Sequence, residues 1–143
     1  MKTVYLISCV SEKRESERPA EEIYCSDWFN KARAYVVQNL KPEDEWYILS
    51  AKYGLLNPRT VIGPYNETLN NMRKLERMEW ARRVEDELRK LLHSGDSVVL
   101  LAGQRYREFL QPSLLELGCQ VSIPMRGLGI GKQLSWLANA VRR

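Results

Sequence analysis

The sequence predicts an α/β fold, a three-layer sandwich around a mainly parallel four-stranded sheet. Two observations carry this: four short apolar runs containing β-branched residues, and stretches between them whose apolar residues recur at spacings of three and four. The runs Thr3–Ile7, Trp46–Leu49, Ser97–Leu101 and Gln120–Ile123 read as strands. Phe29, Ala32, Val36 and Leu40 form one helical stripe, with Ser26 or Asp27 placed to cap its start and Pro42 beyond its end. Leu75, Met78, Ala81, Val84, Leu88 and Leu91 form a second stripe, stopped by Gly95. Residues 104–117 predict a helix interrupted near Pro112 and ended by Gly118, and Leu134, Leu137, Ala138 and Val141 the inner face of a last helix. Strands alternating with helices imply right-handed crossovers that cover both faces of the sheet.

A chain of 143 residues with 44% hydrophobic and 28% charged residues suits one α/β domain over residues 1–143 and argues against disorder or a repeat array. The opening MKTVYLISCVSEK turns charged too early for a secretory signal, and no apolar run is long enough to span a bilayer. The expectation is a soluble cytoplasmic protein without a membrane partner. The net charge of +4 makes an anionic partner plausible. Three scattered cysteines and one histidine argue against a disulfide framework or a zinc site, so no metal or cofactor is expected. His93 falls at a helix end, where it would complement the dipole.

In an open parallel sheet, ligands bind beyond the carboxyl ends of the strands. Those ends carry Ser8-Cys9 with Lys13 and Arg14 following, Ser50-Ala51-Lys52-Tyr53-Gly54, Gly103-Gln104-Arg105-Tyr106, and Pro124 to Gly129. If the strands are parallel, all four meet at one rim, with small residues for close approach, cations for a phosphate and aromatic faces for a ring. The run Arg126-Gly-Leu-Gly-Ile-Gly-Lys132 invites a phosphate-loop reading. It fails the stricter Walker A pattern, because only three residues separate Gly127 from Gly131 and Gln133 replaces the hydroxyl ligand for magnesium. Arg126, Lys132, Arg142 and Arg143 are candidates for phosphate contact; the basic residues of the long helix, interleaved with acids, read as a solvated face. Residues 49–69 are too apolar for disorder and predict a loop packed over the sheet edge that presents Lys52, Tyr53 and Tyr65. Cys9, near Lys13, is the better candidate nucleophile among the cysteines.

The motifs SCVSEK, Tyr24 with Phe29, WYILSAKYGLL, PYNETL, LLAGQRY and PMRGLGIGKQLSWL together resemble an uncharacterised small bacterial and phage domain family, over residues 6–137. LSAKYGLL with PYNETL is also similar to the YaaA peroxide-stress family over residues 49–69. These resemblances imply a uracil-DNA-glycosylase-like α/β layout and a nucleobase or nucleic-acid ligand, so that DNA or a nucleotide-like molecule is the expected partner. The acidic water-activating motif and histidine-containing leucine loop of uracil-DNA glycosylases are absent, so their catalytic residues do not transfer. The motif positions nominated for binding are Ser8, Cys9, Lys13, Tyr24, Ser50, Lys52, Tyr53, Tyr65, Gly103, Tyr106, Gly127, Gly129 and Gln133, joined by Arg126.

Three functions follow as expectations. The first is an enzyme acting at the N-glycosidic bond of a modified base, with Lys52 facing the base and Glu67 or Asp27 facing the sugar. The second is a YaaA-like DNA-binding or stress-protection module without catalysis. The third is an enzyme of free nucleotides or nucleosides.

Overall fold

In the computed structural model, which describes residues 1–141, the chain opens with β1 (Thr3–Ser8). Its Val4, Leu6 and Ile7 are wholly buried, at about 1.5–3 kcal/mol of burial free energy each, because this strand becomes the middle of the sheet. A polar stretch follows, carrying β2 (Arg18–Pro19) and one turn of helix, α1 (Ala20–Ile23). Then α2 (Asp27–Asn39) begins on the expected cap: Ser26 Oγ accepts the Phe29 N–H at 3.0 Å. Its Phe29, Ala32 and Val36 face the core, and β3 (Glu45–Ser50) then pairs parallel with β1.

The sheet has five strands rather than the expected four. Ser50 Oγ accepts the Tyr53 N–H at 3.0 Å, and Gly54 takes φ +73°, a left-handed conformation that favours glycine. The chain therefore reverses at Ala51–Tyr53 and returns antiparallel along β3 as β4 (Gly54–Leu56). Beyond it, β5 (Val61–Ile62) pairs antiparallel with β2 in a separate small ladder, and a 3-10 turn spans Leu69–Asn71.

The long helix α3 (Lys74–Arg89) buries Arg77, Trp80, Ala81, Val84 and Leu88. Leu75 and Met78, expected on the inner face, are instead 77% and 43% exposed. The face carrying Trp80 prevails because indole offers the largest apolar area, and its Nε1–H finds the Ser50 carbonyl at 2.8 Å. Arg77 is a second correction. Expected on a solvated face, it is buried, pairing Nε with Glu108 at 2.9 Å and donating Nη1 to the Met72 carbonyl at 2.7 Å. His93 lies past the helix; its imidazole is exposed, and its N–H donates to Asp96 at 2.9 Å.

After Gly95 at φ +94°, β6 (Ser97–Leu101) pairs parallel with β1. The helix expected over 104–117 is two pieces, α4 (Gln104–Arg107) and α5 (Leu110–Glu116), parted at Glu108–Phe109 and not at Pro112. Pro112 sits in the first turn of α5, where its missing N–H breaks no intrahelical bond. The strand β7 (Gln120–Ser122) and the helix α6 (Ile130–Val141) complete the described chain. Arg142 and Arg143, expected at a phosphate, lie outside the described residues.

The strand order is β4-β3-β1-β6-β7, parallel except for β4. Helix α2 packs on β1 and α6, while α3 packs on β4 and α5, so helices flank the sheet in two groups. The chain leaves β1 toward β3 and leaves β6 toward β7 on the other side. Their adjacent carboxyl ends form the topological switch point, where an open α/β sheet leaves a crevice. Among the described residues no helix is long and apolar enough to cross a membrane.

Candidate functional site

A cleft of about 600 Å³ opens at this switch point. Its first wall follows β1, where Ser8 and Cys9 are buried and the Cys9 N–H extends the ladder to the Leu49 carbonyl at 3.0 Å. Its second wall follows β6, from Gly103 to Tyr106. Tyr106 is held from below by its edge-to-face contact with Trp80, ring centroids 5.7 Å apart. Its hydroxyl lies 3.4 Å from Cys9 Sγ and accepts the Leu69 N–H at 3.4 Å, pinning the third wall, residues 65–71, to the first two.

Tyr65 anchors that third wall. Its hydroxyl lies 2.6 Å from the Tyr24 hydroxyl and 2.8 Å from Ser50 Oγ, a buried chain of hydroxyls that leaves each group partnered. Burial pushes the phenol pKa values of Tyr24, Tyr65 and Tyr106 well above the ordinary tyrosine value, so all three stay protonated. Lys13 is brought over this cluster by an isolated bridge between Lys13 and Tyr24, reinforced by the Cys25 N–H bonded to the Glu12 carbonyl at 3.0 Å. Its Nζ stands 4.4 Å from the centroid of the Tyr65 ring, within cation–π range. Burial lowers the Lys13 ammonium below the usual lysine range, and the negative forms of Cys9, Glu67 and Cys25 act against that shift.

Of the nominated residues, Ser8, Cys9, Lys13, Tyr65, Glu67, Gly103 and Tyr106 line this cleft. Tyr24 and Ser50 support it from beneath, fully buried. Lys52 does not reach it: the residue sits in the β3–β4 turn with Nζ 5.3 Å from the Tyr53 ring. Tyr53, 42% exposed, lines a separate groove against α3 and touches Tyr65 only ring to ring, at 5.7 Å. Asp27 lines an adjoining cleft of about 410 Å³, which shares Ser8 and Gly103 with the first, and pairs with Lys31 at 2.9 Å. Gln133 also lines that cleft, but both ends of its amide are engaged: Oε1 accepts the Trp28 indole N–H and Nε2 donates to the Leu128 carbonyl, each at 2.8 Å. Arg126 and Gly127 lie farther along the rim in a third cavity, and Gly129 precedes α6, accepting the Gln133 N–H at 2.9 Å.

Sequence reasoning missed Asn66, Thr68, Asn70 and Asn71, which line the main cleft, and placed Gln104 and Arg105 at the rim without nominating them, where they line it too. The dense run of amides and hydroxyls in NETLNN was a visible signal, since polar residues clustered behind a buried tyrosine have little reason to be there except solvent or a ligand. Gly103 is informative in a different way. Its φ of −69° suits any residue and a Cβ would meet nothing within 4 Å, so neither strain nor packing demands glycine there. What its missing side chain provides is room at the mouth. Among the described residues no group of three or more His, Cys, Asp or Glu side chains is placed to hold a metal ion.

Fold and rim together define a small α/β protein with a polar, tyrosine-floored crevice at the switch point of its sheet. Over residues 4–139 the chain matches the model of a family of unknown function, DUF6884, and belongs to that family. It is 31% identical to the uncharacterized protein YfjM of Bacillus subtilis (strain 168), across 99% of this chain and 96% of that one. It is also 32% identical to a UPF0246 protein of Polynucleobacter necessarius subsp. necessarius (strain STIR1), over 78% of this chain and 46% of that protein, so it spans under half of that relative's length. No solved structure matches the chain.

Proposed function

We propose that the switch-point cleft binds a nucleobase-containing ligand and that the protein hydrolyses its N-glycosidic bond. The observation that carries this reading is the meeting, in one cleft, of the Lys13 ammonium and the Glu67 carboxylate with the amides of Asn66, Asn70 and Asn71. A cleft of about 600 Å³ falls within the roughly 300–1,000 Å³ typical of small-ligand sites, and side-chain amides pair with the donor and acceptor edges of bases. As the bond breaks, positive charge grows on the sugar and negative charge on the base. Glu67 faces the first and takes a proton from the attacking water; Lys13 faces the second and delivers a proton to the departing ring nitrogen. One water is consumed, and the products are the free base and the sugar hydroxyl. Lys13 thus takes the role that the sequence reading gave to Lys52.

The similarity to YaaA proteins at LSAKYGLL and PYNETL, and the uracil-DNA-glycosylase-like layout that the resemblance implies, support a base as the ligand. The test is chromatography of free base after incubation with nucleosides, nucleotides and oligonucleotides carrying normal, oxidised or hypermodified bases. We expect release by the wild type, and Lys13→Met or Glu67→Gln to slow it by about 10²–10⁴-fold. Absence of free base across the panel sinks the hydrolytic reading. Ligand-induced thermal stabilisation without release would leave a binding module in its place.

A further inference from the structure

The third cavity of the rim, about 230 Å³, is built from groups the proposed chemistry does not use. Its polar lining comes from Gln104, Arg107, Arg126 and Gln133, and no carboxylate lines it. That sets it apart from the other three clefts described above, whose linings include Glu67, Glu12 with Asp27, and Asp86 with Glu87 respectively. Arg107 has no ion pair among the described residues, and its Nε is buried without a hydrogen-bond partner. A charged N–H left in that condition is costly unless something else fills it. Arg126, exposed and also lining the cavity, makes one long bond, 3.3 Å to Gln111 Oε1. Next to Arg126 in the lining, Gly127 turns at φ +78°, and a Cβ there would meet nothing within 4 Å, so the turn leaves open space. The Gln133 amide is engaged with Trp28 and Leu128, which fixes its orientation in the wall.

Two guanidinium groups facing a cavity without an acid suit a phosphate, whose oxygens match their forked donors. Gly103 and Gln104 line both this cavity and the main cleft, so a group held here is within the same ligand's reach. We propose that Arg107 and Arg126 hold the phosphate of the molecule whose base occupies the main cleft, so that the substrate is a phosphorylated nucleoside or a DNA strand, not a free nucleoside. This rests on the base-binding reading of the cleft and adds the phosphate as a required part of the ligand.

The experiment is calorimetric titration of wild type, Arg107→Gln and Arg126→Gln with four probes: inorganic phosphate, a nucleoside, its 5′-monophosphate and a short single-stranded oligonucleotide. The wild type should prefer the monophosphate to the nucleoside by about 10- to 100-fold. Arg107→Gln should remove most of that preference and Arg126→Gln part of it, with nucleoside affinity unchanged in both. A folding defect in Arg107→Gln leaves the decision to Arg126→Gln, whose side chain is exposed. Still tighter binding of the oligonucleotide would assign the phosphate to a strand; binding of the monophosphate alone would assign it to a free nucleotide. Equal affinity for nucleoside and monophosphate overturns the phosphate subsite and leaves the base site standing, and so does a preference that both variants retain. If neither nucleoside, nucleotide nor oligonucleotide binds, the base reading fails. Inorganic phosphate then decides the subsite alone: binding that Arg107→Gln abolishes supports it, and no binding to the wild type overturns it.

Discussion

Asp96 shows how one side chain can hold the start of the sheet. Its carboxylate accepts the backbone N–H of His93 at 2.9 Å and of Lys2 at 3.2 Å, tying the loop before β6 to the residue before β1. The His93 N–H, followed by that of Lys2, holds this carboxyl below its ordinary value of 3.8, against the opposing effect of burial. A carboxyl lowered on folding contributes stability that is present above its unfolded value and is lost as pH falls through the folded one. Thermal melts between pH 7 and 2 should therefore show an acid limb that Asp96→Asn flattens, with about 1–3 kcal/mol of stability lost at neutral pH. An unchanged acid limb would remove Asp96 from this role. Lys13 has the opposite protonation logic. In the proposed hydrolysis its proton must be present for transfer, so base release should fail as pH rises through a lysine value below the ordinary 10.5, and a rate that keeps rising past that value would exclude it as the acid. At this scale the sequence was only partly legible. Lys52 and Lys13 look alike in the chain, and what separates them is that Lys52 rides the outside of a tight turn while Lys13 lies over the Tyr65 ring.

Among the elements, the glycines of the connections separate packing from function. Gly118 has φ +84°, and a Cβ there would stand 2.5 Å from Ser94 Oγ. Gly118→Ala should cost about 1–2 kcal/mol, a fall in melting temperature of roughly 3–8 °C. Gly103→Ala, with ordinary φ and open space, should leave the melting temperature within about 2 °C while weakening ligand binding severalfold. Equal destabilisation by the two changes would make Gly103 a structural glycine. The strands were legible because each is a compact β-branched run bounded by polar residues. The β3–β4 turn was not, since LSAKYGLL reads as strand, loop and apolar filler until Ser50 is seen to cap the reversal. The α3 face was ambiguous for a related reason: two overlapping stripes were available, and the buried bond from Trp80 to Ser50 selects between them.

For the whole molecule, a ligand that binds the folded state alone at about one hundred times its dissociation constant should add about 2.7 kcal/mol, raising the melting temperature by roughly 5–10 °C. A cleft pinned on three sides by Tyr65 and Tyr106 should respond in this way, and Tyr65→Phe, which strips Tyr24 and Ser50 of a partner, should lower both the unliganded melting temperature and the ligand's increment. A normal increment in that variant would separate the buried hydroxyls from binding. The convergence of strand ends was legible from alternation alone, because parallel strands send their carboxyl ends to one rim. The depth and polarity of the crevice were not, since they depend on where residues 65–71 return across it.

The central place of β1 has a consequence for synthesis. One of its edges is filled early, by β3, but the other waits for β6, which begins at Ser97. A chain still emerging from the ribosome thus holds one edge of this largely apolar strand unpaired until the residues of β6 have been made, and such an edge is a template for any passing strand. Fragments released before Ser97 should be captured by chaperones or precipitate.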